Sequence, residues 1–487
     1  MATVFNTDDT IFFVGGTGTK TGLANAGGCT KAWYDANFTQ LSDIMGSDGA
    51  CIDYYDGAVY THSTKRISRT GEFTNSEIGM VVYVYDNQGV PTITTGRYKI
   101  TDVDPSGDWI EVNDIVATGD SNDVVANVGG AFDKLQTALD NTDASAAAPH
   151  NVDILTNKAE TFSVIGDQID VDTGGGSGAS GTWKRIIGID DSGIELAKGS
   201  YVDFDGNGQA CHVFKVLNVE CIEFRHISAR DSANTYYGFY VTATVYCQGF
   251  LLKDCKSTGC KYGAYSDTVY IRGLTIMGGY YSSATGPALY FVSCRWINVL
   301  GVELVGSLAG ALIDGDVVGT LFVDGCILRK TANYSVGVYS NQYDTFLVIR
   351  NCVFYDIDDC IKLDDPEARL VQYNNIFMLH TAATGKIINR VYGAIKYSDY
   401  SCAWAIDGAP AAADRWGNIG IGANSIEQNP QFVDADNSDF RSQNQNVLRG
   451  GKSDIADNET EMGAILQKYQ FARRAKAVNL GRLQIIR

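Results

Sequence analysis

The sequence predicts an all-β protein whose main part is a right-handed, single-stranded parallel β-helix, and three observations predict it. Glycine is abundant (53 residues) and proline is scarce (7) in a chain of 487 residues. Val, Ile, Tyr, Phe and Thr are common, a composition that favours many short strands joined by turns. From about residue 211 a unit of about 24 residues repeats, and no helical pattern interrupts it.

Two strand patterns define the repeat. Because a unit of this length holds short strands without a helix, it cannot form a βαβ fold, and equivalent strands must lie parallel, about 4.8 Å apart. The stacked units then bury one continuous apolar column. The first pattern aligns Phe239, Ala264, Ala288, Ala311, Val338 and Ile361, and the second ends at Cys326, Cys352 and Asn375.

The twelve cysteines are expected to pack inside the solenoid as free thiols. They lack the paired spacing of a zinc site, and only five histidines accompany them. A Cys side chain fills a small apolar slot, and Asn side chains can form a ladder of amides between rungs. This role is favoured over a redox or metal-binding one.

The chain divides into four predicted segments. The first is either an attachment arm or an irregular stretch packed on the next domain. The last ends in a basic tail from Lys468, either docked on an acidic neighbour or solvated. The segments are an N-terminal arm (1–60), a small antiparallel β domain (61–126), a parallel β-helix capped by a helix at 131–141 (127–428), and a closing segment with the tail (429–487).

The charge balance argues against one class of partner. The formal net charge is −19 and the isoelectric point is about 4.6. A nucleic-acid backbone would be repelled, so no nucleic-acid partner is expected. No apolar run approaches the length of a membrane span. The N-terminus shows no secretory signal pattern, from which we expect assembly in a reducing cytoplasm.

Two stretches resemble a known family. "FTNSEIGMVVYV", "TGRYKITDVDPSGDWIEVN" and "ANVGGAF" follow each other between residues 71 and 155, and "NPQFVDADNSDFRSQNQNVLRGG" begins at Asn429. They are similar to the leader and the "DPxFVDxxxxDFxL" closing motif of phage and environmental pectate-lyase-like β-helix proteins. The resemblance implies one of two roles: a virion surface protein (tailspike, fibre or capsid decoration) or a polysaccharide lyase or hydrolase.

The missing signal favours the virion role, since phage structural proteins assemble in the host cytoplasm. By analogy with β-helical spikes the resemblance also implies a homotrimer, located on the virion, which contacts other virion proteins through its N-terminal segments. We therefore expect a structural component of a tailed phage that binds host-surface glycans. A polysaccharide lyase or glycosidase is the alternative. The sequence matches no complete catalytic motif, which favours a non-enzymatic role.

Candidate site residues follow from the repeat. Acidic residues after the first strand pattern would stack along one edge, where they suit a carbohydrate groove or a divalent cation such as calcium. The alternative is that Asp is simply favoured in turns. The catalytic candidates are Asp314, Asp316, Asp364 and Asp365, beside Asp267 and Asp344, and no cofactor is otherwise expected.

Exposed aromatic pairs are the second signal, because aromatic rings stack on sugars. Tyr236 with Tyr237 and Tyr280 with Tyr281 are the glycan-binding candidates, and chance pairing or a subunit contact is the alternative. His226 and His380 are predicted to be packed or hydrogen-bonded.

Overall fold

The structure is a computed structural model. It describes residues 10–14, 28–30, 53–73, 81–86, 94, 96–114, 116–129, 134–140, 151–172, 174–177, 181–190, 195–233, 235–268, 270–283, 285–306, 310–316, 319–330, 335–341, 345–381, 384–408, 416, 422–435 and 438–449. The described chain forms two compact units. The first comprises Met1–Glu160, Ile169–Phe204 and Val219–Ile227, and the second comprises Thr161–Gln168, Asp205–Asn218 and Ser228–Arg487. The basic tail lies outside the described residues.

The first unit contains a closed antiparallel barrel. Its apolar residues alternate along the strands and face inward, as the pleat requires, and Tyr60, Phe73 and Ile100 are in its core. The barrel is wider than the predicted 61–126 domain, since it includes residues 53–60 of the predicted arm. Its strands are Asp53–Thr61, Arg66–Ser68, Val81–Asp86, Gly96–Val103, Trp109–Val112 and Ser121–Gly129, with a short 3-10 helix at His62–Thr64.

The other strands of the first unit belong to three sheets in which most strands are parallel. Thr10–Val14 pairs in parallel with Val152–Thr156, so the predicted arm also supplies a strand of the same sheet. Helix α1 (Leu135–Asp140) confirms the predicted amphipathic helix over part of its range. It packs on both of these strands. The other strands of this unit and its boundary are Gly28–Thr30, Glu160–Thr161, Ile169–Val171, Lys184–Gly188, Val202–Asp205 and Ile222–Arg225.

The second unit is a parallel β-solenoid, which confirms the predicted fold. Three sheets line it. The first sheet contains Cys247–Lys253, Ile271–Met277, Arg295–Leu300, Gly319–Asp324, Thr345–Arg350, Arg369–Tyr373 and Ala394–Asp399. The second sheet contains Ile227–Arg230, Lys256–Cys260, Tyr280–Ser283, Glu303–Gly306, Ile327–Lys330, Val353–Ile357, Ile376–Leu379 and Cys402–Ala405. The third sheet contains Phe214–Leu217, Tyr237–Thr242, Tyr262–Ser266, Leu289–Val292, Gly310–Asp316, Ser335–Ser340, Asp359–Leu363 and Lys386–Arg390.

A tight turn joins each first-sheet strand to the next second-sheet strand. One turn residue adopts a left-handed backbone, which favours Gly, Asn and Asp, and Gly301, Gly325, Asn351 and Asn374 occupy that position. The residue after it points inward and forms what we call the corner column. The corner column consists of Cys255, Val302, Cys326, Cys352, Asn375 and Ser401, and Gly279 occupies the equivalent position in one rung.

The corner column confirms the predicted internal role of Cys and Asn. Its thiols are free and buried, and the same holds for Cys211, Cys221, Cys247, Cys260, Cys294, Cys360 and Cys402. Asn375 is fully buried. Its Oδ1 accepts the backbone N–H of Cys352 at 2.9 Å, and its Nδ2 donates to the carbonyl of Ile349 at 3.1 Å and to Oε1 of Gln372 at 2.8 Å.

The predicted register of the third sheet is wrong in two rungs. The structure aligns Phe239, Ala264, Leu289, Ile313, Val338 and Ile361, so Leu289 and Ile313 replace Ala288 and Ala311. The repeated Ala-Leu pairs misled the alignment. Leu289 and Ile313 are fully buried. The slip from Ala288 to Leu289 is one residue, which moves the side chain to the other face, whereas the slip from Ala311 to Ile313 is two residues and keeps the same face. The second strand pattern was aligned correctly, from Phe250 through Leu321 and Leu347 to Leu370.

The closing segment packs on the second sheet. It contains strands Phe432–Asp434 and Asp439–Ser442 and helix α2 (Gln445–Arg449). Phe440 and Val447 are buried against Ile327, Val353, Ile376, Met378 and Cys402. The apolar residues of its described part thus cover a face of the second sheet. Trp416 is fully buried and meets the ring of Phe377 edge-on, so it helps to fill the end of the interior.

Candidate functional site

The outward face of the third sheet carries a group of aromatic rings. Side chains alternate along each strand, so the residue after each inward Phe239, Ala264 or Leu289 points outward. Those residues are Tyr240, Tyr265 and Tyr290, which are in register in consecutive rungs. Tyr237 and Tyr262 form a second column beside them. We call these five residues the tyrosine ladder, and all of them are partly exposed.

The rings of the tyrosine ladder touch in both directions. Tyr237 and Tyr262 are stacked, with ring centroids 5.0 Å apart and planes 8° apart, and Tyr240 and Tyr265 are stacked at 5.5 Å. Tyr237 also contacts Tyr265 at 4.3 Å, and Tyr265 contacts Tyr290 at 5.4 Å. The result is a continuous apolar surface that also carries phenolic hydroxyls.

Hydrogen bonds and burial fix the ionisation state of this surface. The hydroxyl of Tyr240 donates to Oδ2 of Asp267 at 2.7 Å. Burial, with the help of that bond, raises the pKa of Tyr240 to about 12. Burial also raises the pKa of Tyr265, as does the negative charge of Asp267. Tyr240 and Tyr265 therefore act as neutral hydrogen-bonding groups near neutral pH.

His212 extends the tyrosine ladder by one rung. Its ring stacks on Tyr237 at a centroid distance of 4.8 Å and lies 4.6 Å from Tyr240. Burial lowers the pKa of His212 to about 4, and the positive charge of Lys215 acts in the same direction. The imidazole is consequently neutral near pH 7, like the phenols beside it.

The same face becomes ionic in later rungs. Asp314 is in register between Tyr290 and Tyr339, which corrects its predicted position in a turn. The Tyr339 hydroxyl donates to Oδ2 of Asp364 at 3.0 Å, and Nζ of Lys362 lies 3.0 Å from the same oxygen. Burial first, and then the bond to Asp364, raises the pKa of Tyr339 to about 12. The structure thus brings Tyr237, Asp314 and Asp364 to one face.

The other acidic candidates are not equivalent. Asp365 is 1 % exposed, and its Oδ1 accepts the backbone N–H of Glu367, which is an ordinary turn interaction. The expectation that Asp365 lines an accessible edge is therefore wrong. Asp316 ends its strand opposite Val292. Asp344 lies outside the described residues.

The four predicted aromatic residues are separated. Tyr236 lies beside the tyrosine ladder, where its ring meets His212 edge-on at 5.2 Å. Tyr280 belongs to a second-sheet strand. Tyr281 is fully buried, so its prediction as an exposed ring is wrong. Its ring lies 6.5 Å from that of the buried Phe239, so it is part of the interior.

A pocket of about 360 Å³ lies where the closing segment meets the second sheet, and it is lined by Arg329, Lys330, Tyr355, Asp356, His380, Ile406 and Ala435. Nδ1 of His380 lies 2.6 Å from Oδ1 of Asp356. This contact confirms the prediction that His380 is hydrogen-bonded. Its side chain is 53 % exposed, so it is not packed in the interior. Lys330 is buried in an ion pair with Asp358 at 3.0 Å, and Arg329 pairs with Glu303 at 2.9 Å.

The sequence analysis predicted neither the tyrosine ladder nor the pocket at His380. Tyr240, Tyr265 and Tyr290 each follow an inward position of the repeat, and the slip at Ala288 hid the alignment of Tyr290 with the other two. The pocket joins strands 327–330 and 353–357 to residue 435. Such a long-range contact leaves no local pattern. His226 is buried, with Nε2 3.3 Å from Oε1 of Glu195, which confirms its predicted packed or hydrogen-bonded state.

No protein-family model matches the chain, and no curated protein matches it either. Among the described residues, no three His, Cys, Asp or Glu side chains lie close enough together to hold a metal ion. In the same part of the chain, no helix is long and apolar enough to cross a membrane.

Proposed function

We propose that this protein is a structural component of a tailed-phage particle that binds host-surface glycans through the tyrosine ladder. The observation that carries the glycan-binding part is the in-register set of partly exposed tyrosines on the third sheet. The assignment to a phage particle rests on the resemblance of the leader and of the closing motif to those of phage β-helix proteins. A homotrimer and attachment through the N-terminal segments belong to the same proposal.

Sheet stability alone does not account for this surface. Aromatic cross-strand pairs stabilise a sheet by roughly 0.5–1.5 kcal/mol each, and phenylalanine would serve equally well. The buried stack of Phe214 on Phe239 uses phenylalanine at a centroid distance of 5.2 Å. The outward positions use tyrosine, which adds a hydroxyl at the solvent side. A ring with an apolar body and a polar tip suits a sugar, which has apolar ring faces and hydroxyl edges.

The dimensions and charge of the ladder also suit a polymer. Consecutive rungs repeat about every 4.8 Å, so a saccharide chain lying along the ladder meets an equivalent ring at each step. His212 is neutral near pH 7 because burial lowers its pKa to about 4, and burial raises the pKa of Tyr240 to about 12.

A glycan-binding assay tests the proposal. The full chain is screened against bacterial capsular and cell-wall polysaccharides, and hits are measured by isothermal titration calorimetry. We expect Tyr262→Ala/Tyr265→Ala to weaken binding at least tenfold. The matched control, Tyr280→Ala, removes a tyrosine from the second sheet and should bind like the parent protein. Equal affinity of the ladder variant and the parent would reject the ladder as the binding surface.

The particle assignment needs its own experiment. Immunogold electron microscopy of phage from the source culture should label particles at a fixed position, and analytical ultracentrifugation should give a trimer mass. A protein that is found only free in solution, as a monomer, would overturn this part and leave glycan binding to be judged separately.

An enzyme is the second candidate, and the pocket at His380 is the observation that favours it. With Nδ1 held by Asp356, Nε2 of His380 is the ring nitrogen left to exchange a proton with a substrate. Incubation with acidic polysaccharides would then release new reducing ends, or unsaturated sugars that absorb ultraviolet light. His380→Ala should abolish such activity, whereas activity that is lost only in Asp314→Ala/Asp364→Ala would place the chemistry on the third sheet.

A further inference from the structure

Two arginines lie side by side on the outward face of the first sheet. Arg272 and Arg295 are paired in register in neighbouring strands, about one rung apart. Like charges directly opposite each other destabilise a sheet. Within the described part of the chain, neither arginine forms an ion pair, and the Nε atoms of both are buried without a hydrogen-bond partner. The fold alone gives no reason for this pair in a chain whose net charge is −19.

Two exposed aromatic rings flank the pair. The guanidinium carbon of Arg272 lies 4.2 Å from the ring centroid of Tyr246 and 6.0 Å from that of Trp296. Tyr246 is 59 % exposed and Trp296 is 45 % exposed. The cationic groups are therefore held against aromatic faces rather than against carboxylates, and the aromatic surface remains open to solvent.

The backbone at Trp296 gives an independent reason to look for a ligand. The residues in register with it in the two preceding rungs are Gly249 and Gly273, with φ of 77° and 75°. Trp296 takes the same left-handed conformation, with φ of 57°. A bulky residue at positive φ is a rare and strained choice where glycine fits without strain. A tryptophan at this position is thus unfavourable for the backbone, and it places an exposed indole on the surface.

We propose that Arg272, Arg295, Trp296 and Tyr246 form a binding site for an acidic saccharide that carries carboxylate or sulfate groups. Guanidinium groups bind such anions through two parallel hydrogen bonds, and the indole and phenol stack on the sugar ring. An acidic saccharide is favoured over an acidic peptide because the site combines an anion-binding pair with two exposed ring faces. The site lies on the first sheet, so it neither includes nor requires the tyrosine ladder.

Binding of defined oligomers tests the site. The probes are alginate oligomers (carboxylate), heparin oligomers (sulfate), dextran oligomers of matched length (neutral) and poly-glutamate (acidic peptide). We expect alginate or heparin to bind at least tenfold more tightly than dextran and poly-glutamate. The comparison of alginate with heparin identifies the acid group. Poly-glutamate binding as tight as that of either acidic saccharide would overturn the proposal, because the site would then recognise charge alone.

The Trp296→Gly variant separates binding from folding. It places at residue 296 the amino acid that the two preceding rungs use, so the unfolding midpoint should be unchanged or higher. We expect its affinity for the preferred acidic oligomer to fall at least tenfold, and that of Arg272→Gln/Arg295→Gln to fall further. Tyr262→Ala/Tyr265→Ala should keep this affinity, whatever becomes of the ladder proposal. Unchanged affinity in Trp296→Gly would overturn the site.

Discussion

The corner column and the tyrosine ladder both repeat once per rung, but their side chains are in opposite environments. Cys326, Cys352 and Asn375 are fully buried, and the amide of Asn375 is fully hydrogen-bonded to neighbouring rungs and strands. Tyr262 and Tyr265 are partly exposed and contact each other and the other rings of the tyrosine ladder. A repeated side chain therefore has two possible meanings in a solenoid. Inside the coil it fixes the register, and outside it offers a surface that the fold itself does not need.

Replacement of Asn375 by Ala should have the largest effect on stability. The variant would leave the buried N–H of Cys352 without its side-chain acceptor and would remove the amide hydrogen bonds to Ile349 and Gln372. A buried donor without a partner costs about 1–3 kcal/mol, and with the other lost hydrogen bonds we expect a loss of roughly 3 kcal/mol. Urea denaturation followed by circular dichroism measures it. Cys326→Ala, in the same column, removes only a thiol and should cost about 1 kcal/mol. Equal losses in the two variants would show that the amide ladder has no special role.

Acidification should weaken the exposed stack through His212. Its folded pKa is lowered from 6.5 to about 4, so the unfolded chain takes up the proton first. The stabilisation is fully present above pH 6.5 and is lost as the pH falls towards about 4. After allowance for partial exposure, we expect a loss of about 1–2 kcal/mol across this range. Denaturation of His212→Gln at pH 7 and pH 4.5 is the comparison, and a pH slope equal to that of the parent would contradict the assignment.

A single change in the tyrosine ladder should have the smallest effect on stability. Tyr262→Ala removes one stacked pair and partly exposed area, for which we expect about 1 kcal/mol or less. Its effect on glycan binding should be far larger than that of Cys326→Ala, although the two variants lose similar stability. If both variants lost affinity in proportion to stability, the contrast between the two stacks would fail.

The sequence alone was sufficient to predict the solenoid and the columns of side chains inside it. Repeated apolar positions such as Leu321, Leu347 and Leu370 must face one core, so a shift in their alignment is strongly penalised. The outer face was harder to predict, because nothing inside the coil dictates an outward residue. The slip at Ala288 and Ala311 placed Asp314 in a turn. The pocket at His380 could not be predicted from the sequence either, because it depends on where the closing segment packs.

The structure of a complex with a bound oligosaccharide tests the central claim most directly. The oligomer would come from whichever polysaccharide binds in the screen, and cryo-electron microscopy or crystallography would locate it. The account predicts that sugar rings lie along the third sheet, against Tyr262 and Tyr265. Sugar density found only elsewhere on the protein, with these two rings free of it, would contradict the account.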